Sequence, residues 1–318
     1  MKTEIFSEKE IKKAAELIKK GELIAFPTET VYGLGANALD PKAVKKIFKA
    51  KGRPCDNPLI VHIANKKQVF ELAEVNEKQK VLVKKLTKKF WPGPLTIVLK
   101  KKRIIPKEVT GGLDTVAVRM PKNKIALKLI KYAGVPIAAP SANISGKPSG
   151  TSFQHVLDDF NGKIAGVIKS KDCKIGVEST VLDLTAKIPL ILRPGGTSLE
   201  KLRKILGDVE LAKHKNVKRP KSPGMKYRHY SPDAKVILFE KSAYKKIEFY
   251  KIKLEKKGMK VKVIYPEKIK NFSKKLFKIF RDCDKNGFDY ILILSPKTKG
   301  IGLALRNRIE KAASKIVR

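Results

Sequence analysis

Apolar and polar positions along the chain fall into short runs that alternate between helix-like and strand-like spacing, separated by Gly, Pro and Asn clusters. The first residues have the rhythm of an amphipathic helix. Ser7 with Glu10 makes a capping box, so a helix is predicted to about Lys20. A short apolar strand follows at 23–26. Asp40 before Pro41 satisfies the N-cap and first-position rules and predicts a helix ending near Lys51 and Gly52. Strands are expected at 59–63, 95–99, 115–119 and 136–139, with helices at 66–73, 77–89 and 123–132. After a Ser/Gly/Pro loop at 141–150 come a helix near 152–159 and strands near 165–168, 180–184 and 189–192. Ser198 then caps a helix to Leu206.

From Gly207 to Pro232 the periodicity stops, and the stretch is polar, basic and proline-bearing, as expected of a linker. Beyond it, strands at 235–239, 260–264 and 290–294 alternate with helices at 242–257, 272–285 and 301–315. Such a β-α-β-α-β-α series predicts a small parallel sheet. The expected domains are therefore 7–206, a linker at 207–234, and 235–318. A length of 318 residues suits two cores better than one.

Composition narrows the function. No run approaches the ~18 apolar residues of a membrane span. The N-terminus lacks the apolar segment of a signal peptide, so a cytoplasmic protein is expected. Cys55, Cys173 and Cys283 are scattered, with no C-x-x-C pair, and the four histidines show no i, i+4 pair. A disulfide framework or a protein-built metal site is not expected. The net charge of +41 suits either a solvated lysine-rich surface or a polyanionic partner, and charge alone does not choose between them.

Candidate chemistry begins at Phe26-Pro-Thr-Glu-Thr-Val-Tyr-Gly-Leu-Gly. Gly33-x-Gly35 superficially fits a dinucleotide fingerprint, but the next helix starts at Pro41 and no acidic residue closes a second strand. The glycines are expected in a tight turn. The loop with Lys51, Gly52 and Arg53 puts two cations where both can meet one anion, Arg as a fork and Lys as a point charge. Pro140-Ser141-Ala142-Asn143 leaves a strand with small hydroxyl and amide groups suited to phosphate oxygens. Taken alone it is an ordinary turn. Arg119 ends a strand and suits a carboxylate, whereas His62 on an apolar strand reads first as a structural imidazole. No nucleophilic triad or carboxylate pair stands out, so positioning and electrostatics are the expected source of catalysis.

As an ordered set, these stretches resemble the YrdC family. The set also includes Asn57-Pro-Leu-Ile-Val-His62, Trp91-Pro-Gly-Pro-Leu-Thr96, Ala117-Val-Arg119 and Glu178-Ser-Thr. Ser-Pro-Gly-Met-Lys-Tyr-Arg-His-Tyr-Ser-Pro at 222–232 and the α/β tail resemble its longer, two-domain form. The resemblance implies an α/β fold: a twisted, mixed, open sheet with a concave basic cavity, followed by a small Rossmann-like parallel domain. It implies an L-threonylcarbamoyladenylate synthase that joins L-threonine, bicarbonate and ATP, with Mg²⁺ carried on the nucleotide, and releases pyrophosphate. The product serves modification of tRNA beside the anticodon, through direct contact or through downstream transfer proteins.

Carried over by motif, Lys51, Arg53, Cys55, Thr115, Ser141, Asn143, Ser149, Arg193 and Tyr230 are implied to bind ATP, with Lys51 and Arg53 catalytic. Thr28, His62, Arg119, Ala139 and Ser179 are implied to hold threonine, and Tyr230 to fold back from a linker that acts as a lid. Two rivals remain. One is a non-enzymatic RNA-binding protein using the basic cavity. The other is carbamoyl transfer in metallocofactor assembly, which needs zinc-finger-type modules that three scattered cysteines do not supply.

Overall fold

The computed structural model describes residues 2–212 and 229–318. Its elements follow the sequence pattern closely where local chemistry is decisive. The Asp40 carboxylate accepts from Lys42 N at 2.8 Å and starts helix Pro41–Lys51. Gly52, at φ 60°, ends that helix in the left-handed region. Asn76 and Asn123 cap helices Glu77–Phe90 and Lys124–Ala133 in the same way.

Among the described residues a twelve-stranded mixed sheet forms the first layer. From one edge its strands run Glu4–Phe6, Gly166–Ile168, Ile24–Phe26, Gly33–Asn37, Ile137–Ala138 and Ile60–His62. The order continues with Thr115–Arg119, Leu95–Lys101, Thr180–Asp183, Leu190–Arg193 and Glu210–Leu211, and Ala73–Glu74 pairs beside Leu95–Lys101. Two apolar cores flank the central strands. One is built on Tyr32, Leu34, Val61, Leu95 and Phe160, the other on Phe6, Ile18, Phe26, Leu129 and Ile137.

The second sheet is wholly parallel, in the order Val261–Ile264, Tyr290–Leu294, Lys235–Phe239, Ala313–Val317. Helices Phe272–Lys285 and Gly302–Ala312 cover one face, and Lys246–Glu255 covers the other. The two sheets are joined by buried or half-buried ion pairs. Arg308 meets Glu178 at 2.6 Å, and Arg281 meets Asp159 at 2.7 Å while also donating to the Pro148 carbonyl.

Several expectations change. Gly33 and Gly35 lie in a strand, not in a positive-φ turn. A Cβ on Gly35 would sit 2.8 Å from both Ile137 Cγ2 and Phe26 Cε1, so glycine is required there by close packing. The C-terminal helix stops at Ala312 and the chain enters a strand, because Ala313–Val317 can pair with Lys235–Phe239. Glu4–Phe6 is an unanticipated edge strand, and Glu210–Leu211 extends the first sheet into the stretch read as patternless. Most of that linker, 213–228, lies outside the described residues, including 222–228 of the Ser-Pro-Gly motif.

Gly35→Ala should destabilise the protein by roughly 1–3 kcal/mol through overpacking, read as a lower urea midpoint. An unchanged midpoint would contradict the close approach of Ile137 and Phe26.

Candidate active site

The strands of the first sheet deliver chemically useful side chains to one cavity. It is lined by Thr28, Arg53, His62, Arg119, Ala139, Ser141, Asn143, Ser179 and Arg193, with Tyr32, Glu178, His229 and Tyr230 among the other walls. These residues are brought together from distant parts of the chain by sheet order. Ile60–His62 pairs with Thr115–Arg119, which sets His62 opposite Arg119. Ser141 bridges to Gly33, and Thr180 pairs with Leu95.

Arg119 is buried and is held by Glu29. Its Nη2 lies 2.6 Å from Glu29 Oε1, while Glu29 Oε2 accepts from Lys122 N at 2.9 Å. Thr28 Oγ1 donates to the Val31 carbonyl at 2.6 Å and lies 2.8 Å from Thr30 Oγ1 in a hydroxyl turn. Ser179 Oγ lies 2.8 Å from Thr96 Oγ1, and its carbonyl accepts from Arg193 Nη2 at 3.0 Å. His62 is buried, with Nδ1 3.1 Å from the Ile60 carbonyl. Burial first, and the Arg119 charge second, push its pKa down to about 3. The imidazole is therefore neutral at pH 7 and acts by shape and hydrogen bonding.

Lys51 closes its helix instead of lying in the loop that follows. Its Nζ donates to the Ser141 carbonyl at 2.6 Å and to the Asn143 carbonyl. Burial, then the Arg53 charge, hold its pKa well below the usual lysine value. Arg53 lines the cavity and donates to the Asn57 and Pro58 carbonyls at 3.3 and 3.2 Å. The two cations are thus close, but Lys51 braces the Ser141–Asn143 loop and only Arg53 reaches the cavity wall. Ser141 Oγ donates to Asn143 Oδ1 at 2.6 Å, completing that loop.

The remaining predicted residues lie further out. Ser149 is fully buried behind the wall and donates to Glu178 Oε1 at 2.6 Å. Cys55 is exposed. Thr115 begins the strand that Arg119 ends, about 13 Å along it. Neither Cys55 nor Thr115 lines the cavity.

Sequence reasoning missed four participants. Glu29 and Glu178 are buried acids in a strongly basic chain, and that rarity was an available signal. Arg308 is fully buried, donates from Nε to Glu178 Oε2 at 2.6 Å, and places its guanidinium 5.0 Å from the centre of the Tyr230 ring. His229 lines the cavity, and burial followed by Arg53 lowers its pKa to about 3. His229 lies beside Tyr230 in the 222–232 motif, which was an available signal, whereas Arg308 carried none because it is placed by packing between the two sheets.

Fold and cavity define a two-domain α/β protein with a buried, arginine-lined small-molecule site. The chain belongs to the Sua5–YciO–YrdC family. The family model described as "Telomere recombination" matches residues 16–195, and the model described as "Threonylcarbamoyl-AMP synthase, C-terminal domain" matches 197–314. The chain is 50% identical to the threonylcarbamoyl-AMP synthase of Pyrococcus abyssi, over 98% of this chain and 96% of that protein. It is 44% identical to the Bacillus subtilis protein of the same name, over 96% and 93%. The crystal structure of P. abyssi Sua5 complexed with L-threonine superposes with a TM-score of 0.94 at 48% identity, covering 99% of each chain.

Burial raises the pKa of Glu178, but the charges of Arg308 and Arg193 and the Ser149 hydrogen bond outweigh it and hold the carboxyl at about 2. With the folded value below the ordinary 4.5, its stabilisation is complete above that pH and is lost as pH falls toward 2. Glu178→Gln should cost roughly 3–5 kcal/mol at neutral pH, because it leaves Arg308 buried and uncompensated. The gap to wild type in denaturant titrations should narrow below pH 4.5. A gap independent of pH would contradict the charged pair.

Proposed function

We infer that this chain is an ATP-dependent threonylcarbamoyl-AMP synthase, a nucleotidyltransferase of the cytoplasm. The near full-length identity to the P. abyssi enzyme of that name carries the inference. The cavity supports it physically. Lys51, Arg53, Arg119, Arg193 and Arg308 are all at most 7% exposed, and the buried carboxylates among them are Glu29 and Glu178. The surplus of buried positive charge suits a compact polyanion such as a triphosphate. Cations this enclosed are beyond the reach of an RNA backbone, so non-enzymatic RNA binding is not favoured.

In this proposal Arg119, pre-oriented by Glu29, takes the threonine carboxylate, and the Ala139 carbonyl accepts from its amine. Thr28, Ser179 and neutral His62 complete that half-site. The amine adds to bicarbonate with loss of water, giving a carbamate. A carbamate oxygen then attacks the α-phosphorus of ATP in line, and the bond to the pyrophosphate leaving group breaks. Arg53, Ser141 and Asn143 hold the phosphates directly, and Lys51 acts from beneath the loop. Arg193 faces the nucleotide and Ser149 works through Glu178, while Cys55 and Thr115 serve the outer end of the nucleotide site.

Glu178 in the cavity wall and Glu29, the partner of Arg119, are each engaged by an arginine. This fits Mg²⁺ arriving on the triphosphate, where it would help neutralise the leaving group. Tyr230 and His229 in the cavity wall support a lid function for 207–234 that keeps water from a labile adenylate. The product would pass to tRNA modification.

Pure protein incubated with ATP, bicarbonate and labelled threonine should yield threonylcarbamoyl-AMP and pyrophosphate. Lys51→Ala and Arg53→Ala should each lower kcat/KM by roughly 100-fold or more with the circular dichroism spectrum retained. Wild-type turnover by Lys51→Ala at saturating ATP would remove Lys51 from the machinery. Product with another amino acid, but none with threonine, would keep the chemistry and overturn the substrate.

A further inference from the structure

The second domain has a crevice of its own at the carboxyl ends of its strands. The chain leaving Lys235–Phe239 turns toward the face covered by Lys246–Glu255, whereas the chain leaving its neighbour Tyr290–Leu294 turns toward the face covered by Gly302–Ala312. Two adjacent parallel strands whose exits diverge open a gap between the loops, and in open α/β sheets ligands bind in such gaps.

The gap is open in this protein and has a distinct chemistry. Its walls include Lys241 and Ser242 from one loop, Lys297, Thr298 and Lys299 from the other, and Arg306 and Arg318 at the sides. Backbone bonds fix both exits: Ser295 N donates to the Phe239 carbonyl at 2.8 Å, and Glu240 N to the Val317 carbonyl at 2.9 Å. The second loop is tightly folded. Gly300 has φ 63°, and a Cβ on Gly302 would fall 1.7 Å from the Lys297 carbonyl oxygen, so only glycine fits there.

Glu240, an acidic residue in the wall, is already paired. Arg306 grips it with Nη2 at 2.6 Å and Nη1 at 3.2 Å, and Arg306 also bonds Glu310 and Ser295 Oγ. Lys241 has a loose partner in Glu267 at 3.3 Å. Lys297, Lys299, Thr298 and Ser242 stay exposed. The same loop already accepts one anion from within the molecule: Gly300 N donates to the carboxylate of Glu200, on helix Leu199–Leu206 of the first domain, at 3.2 Å. Lys297 and Lys299 beside the hydroxyls of Ser242 and Thr298 make the crevice wall a phosphate-type anion site, next to a glycine-bent turn whose Gly300 N–H already holds Glu200.

We propose that the crevice between the Glu240–Ser242 and Ser295–Lys299 loops is a second ligand site, separate from the arginine-lined cavity, that binds a small phosphate-bearing molecule. Lys297 and Lys299 are its main charge contacts, with Ser242 and Thr298 as hydroxyl donors. Arg306 orders the floor through Glu240 and Ser295. A ligand here pulls on the loop that Glu200 also holds, so occupancy is felt at the contact between the two domains.

The test uses the full-length protein and pyrophosphate as the probe, followed by backbone amide NMR shifts at low ionic strength. Saturable shifts confined to 240–242 and 295–300, with submillimolar affinity, are expected in an Arg53→Ala background that weakens the first cavity. K297Q/K299Q, which changes only exposed side chains, should weaken this binding at least tenfold while pyrophosphate still perturbs the first cavity of the otherwise wild-type protein. Non-saturating shifts, equal affinity in K297Q/K299Q, or an effect reproduced by chloride at the same ionic strength would overturn the proposal. So would tight binding of a short single-stranded RNA at these loops without any response to pyrophosphate.

Discussion

Five cations buried among the described residues are the constraint around which this molecule is organised. Removing a charge from water is expensive unless it is paired and hydrogen-bonded. Each cation is handled separately. Arg119 is paired with Glu29 and Arg308 with Glu178. Lys51, Arg53 and Arg193 are satisfied largely by main-chain carbonyls from the loops after Ala138, Pro54 and Val177. The loops of the cavity are therefore fixed by the same groups that give it charge. Removing a cation loosens backbone as well as electrostatics, and adding an anionic ligand relieves a repulsion the fold already holds.

This arrangement explains why the second domain belongs to the site. Arg308 comes from helix Gly302–Ala312, yet its partner Glu178 lies in the cavity wall. Tyr230 sits against Arg308 on one side and Phe277 on the other, with φ 66°, a backbone state that a bulky residue keeps only when its surroundings fix it. Arg281 and Lys147 add further ties to Asp159 and Asp233. The domain thus supplies one of the cations and, through Phe277, backs the Tyr230 wall that the linker contributes, in addition to the crevice at its own strand ends.

Much of this was legible in the sequence, and the division follows physical range. Asp40, Gly52 and Asn123 act within a few residues, so their helices could be placed from the chain alone. The motif residues Thr28, Arg53, His62, Arg119, Ser141, Asn143 and Ser179 were found as an ordered set and line one cavity. Gly33 and Gly35 were misjudged because a missing Cβ serves both turns and close packing, and only distant neighbours, Phe26 and Ala139 at Gly33 and Phe26 and Ile137 at Gly35, decide between them. Lys51 was read as a loop residue pointing at an anion, whereas helix geometry turns it toward carbonyls 90 and more residues away. Edge strands such as Ala313–Val317 and the pair of Arg308 with Glu178 depend on long-range contacts that leave no local pattern.

Surplus buried positive charge sets this cavity apart: arginines in its wall and, beneath the Ser141–Asn143 loop, a lysine whose pKa burial and Arg53 hold down. Calorimetry of Mg-ATP binding over a series of pH values, in two buffers of different ionisation enthalpy, tests this directly. Burial and Arg53 depress the Lys51 pKa, and a bound phosphate raises it, so binding should take up protons. Lys311 is also depressed, to about 8 by burial and then Arg308, which is why the comparison needs Lys51→Met. The account predicts net proton uptake that falls in Lys51→Met. Buffer-independent heats, or uptake unchanged by that substitution, would contradict it.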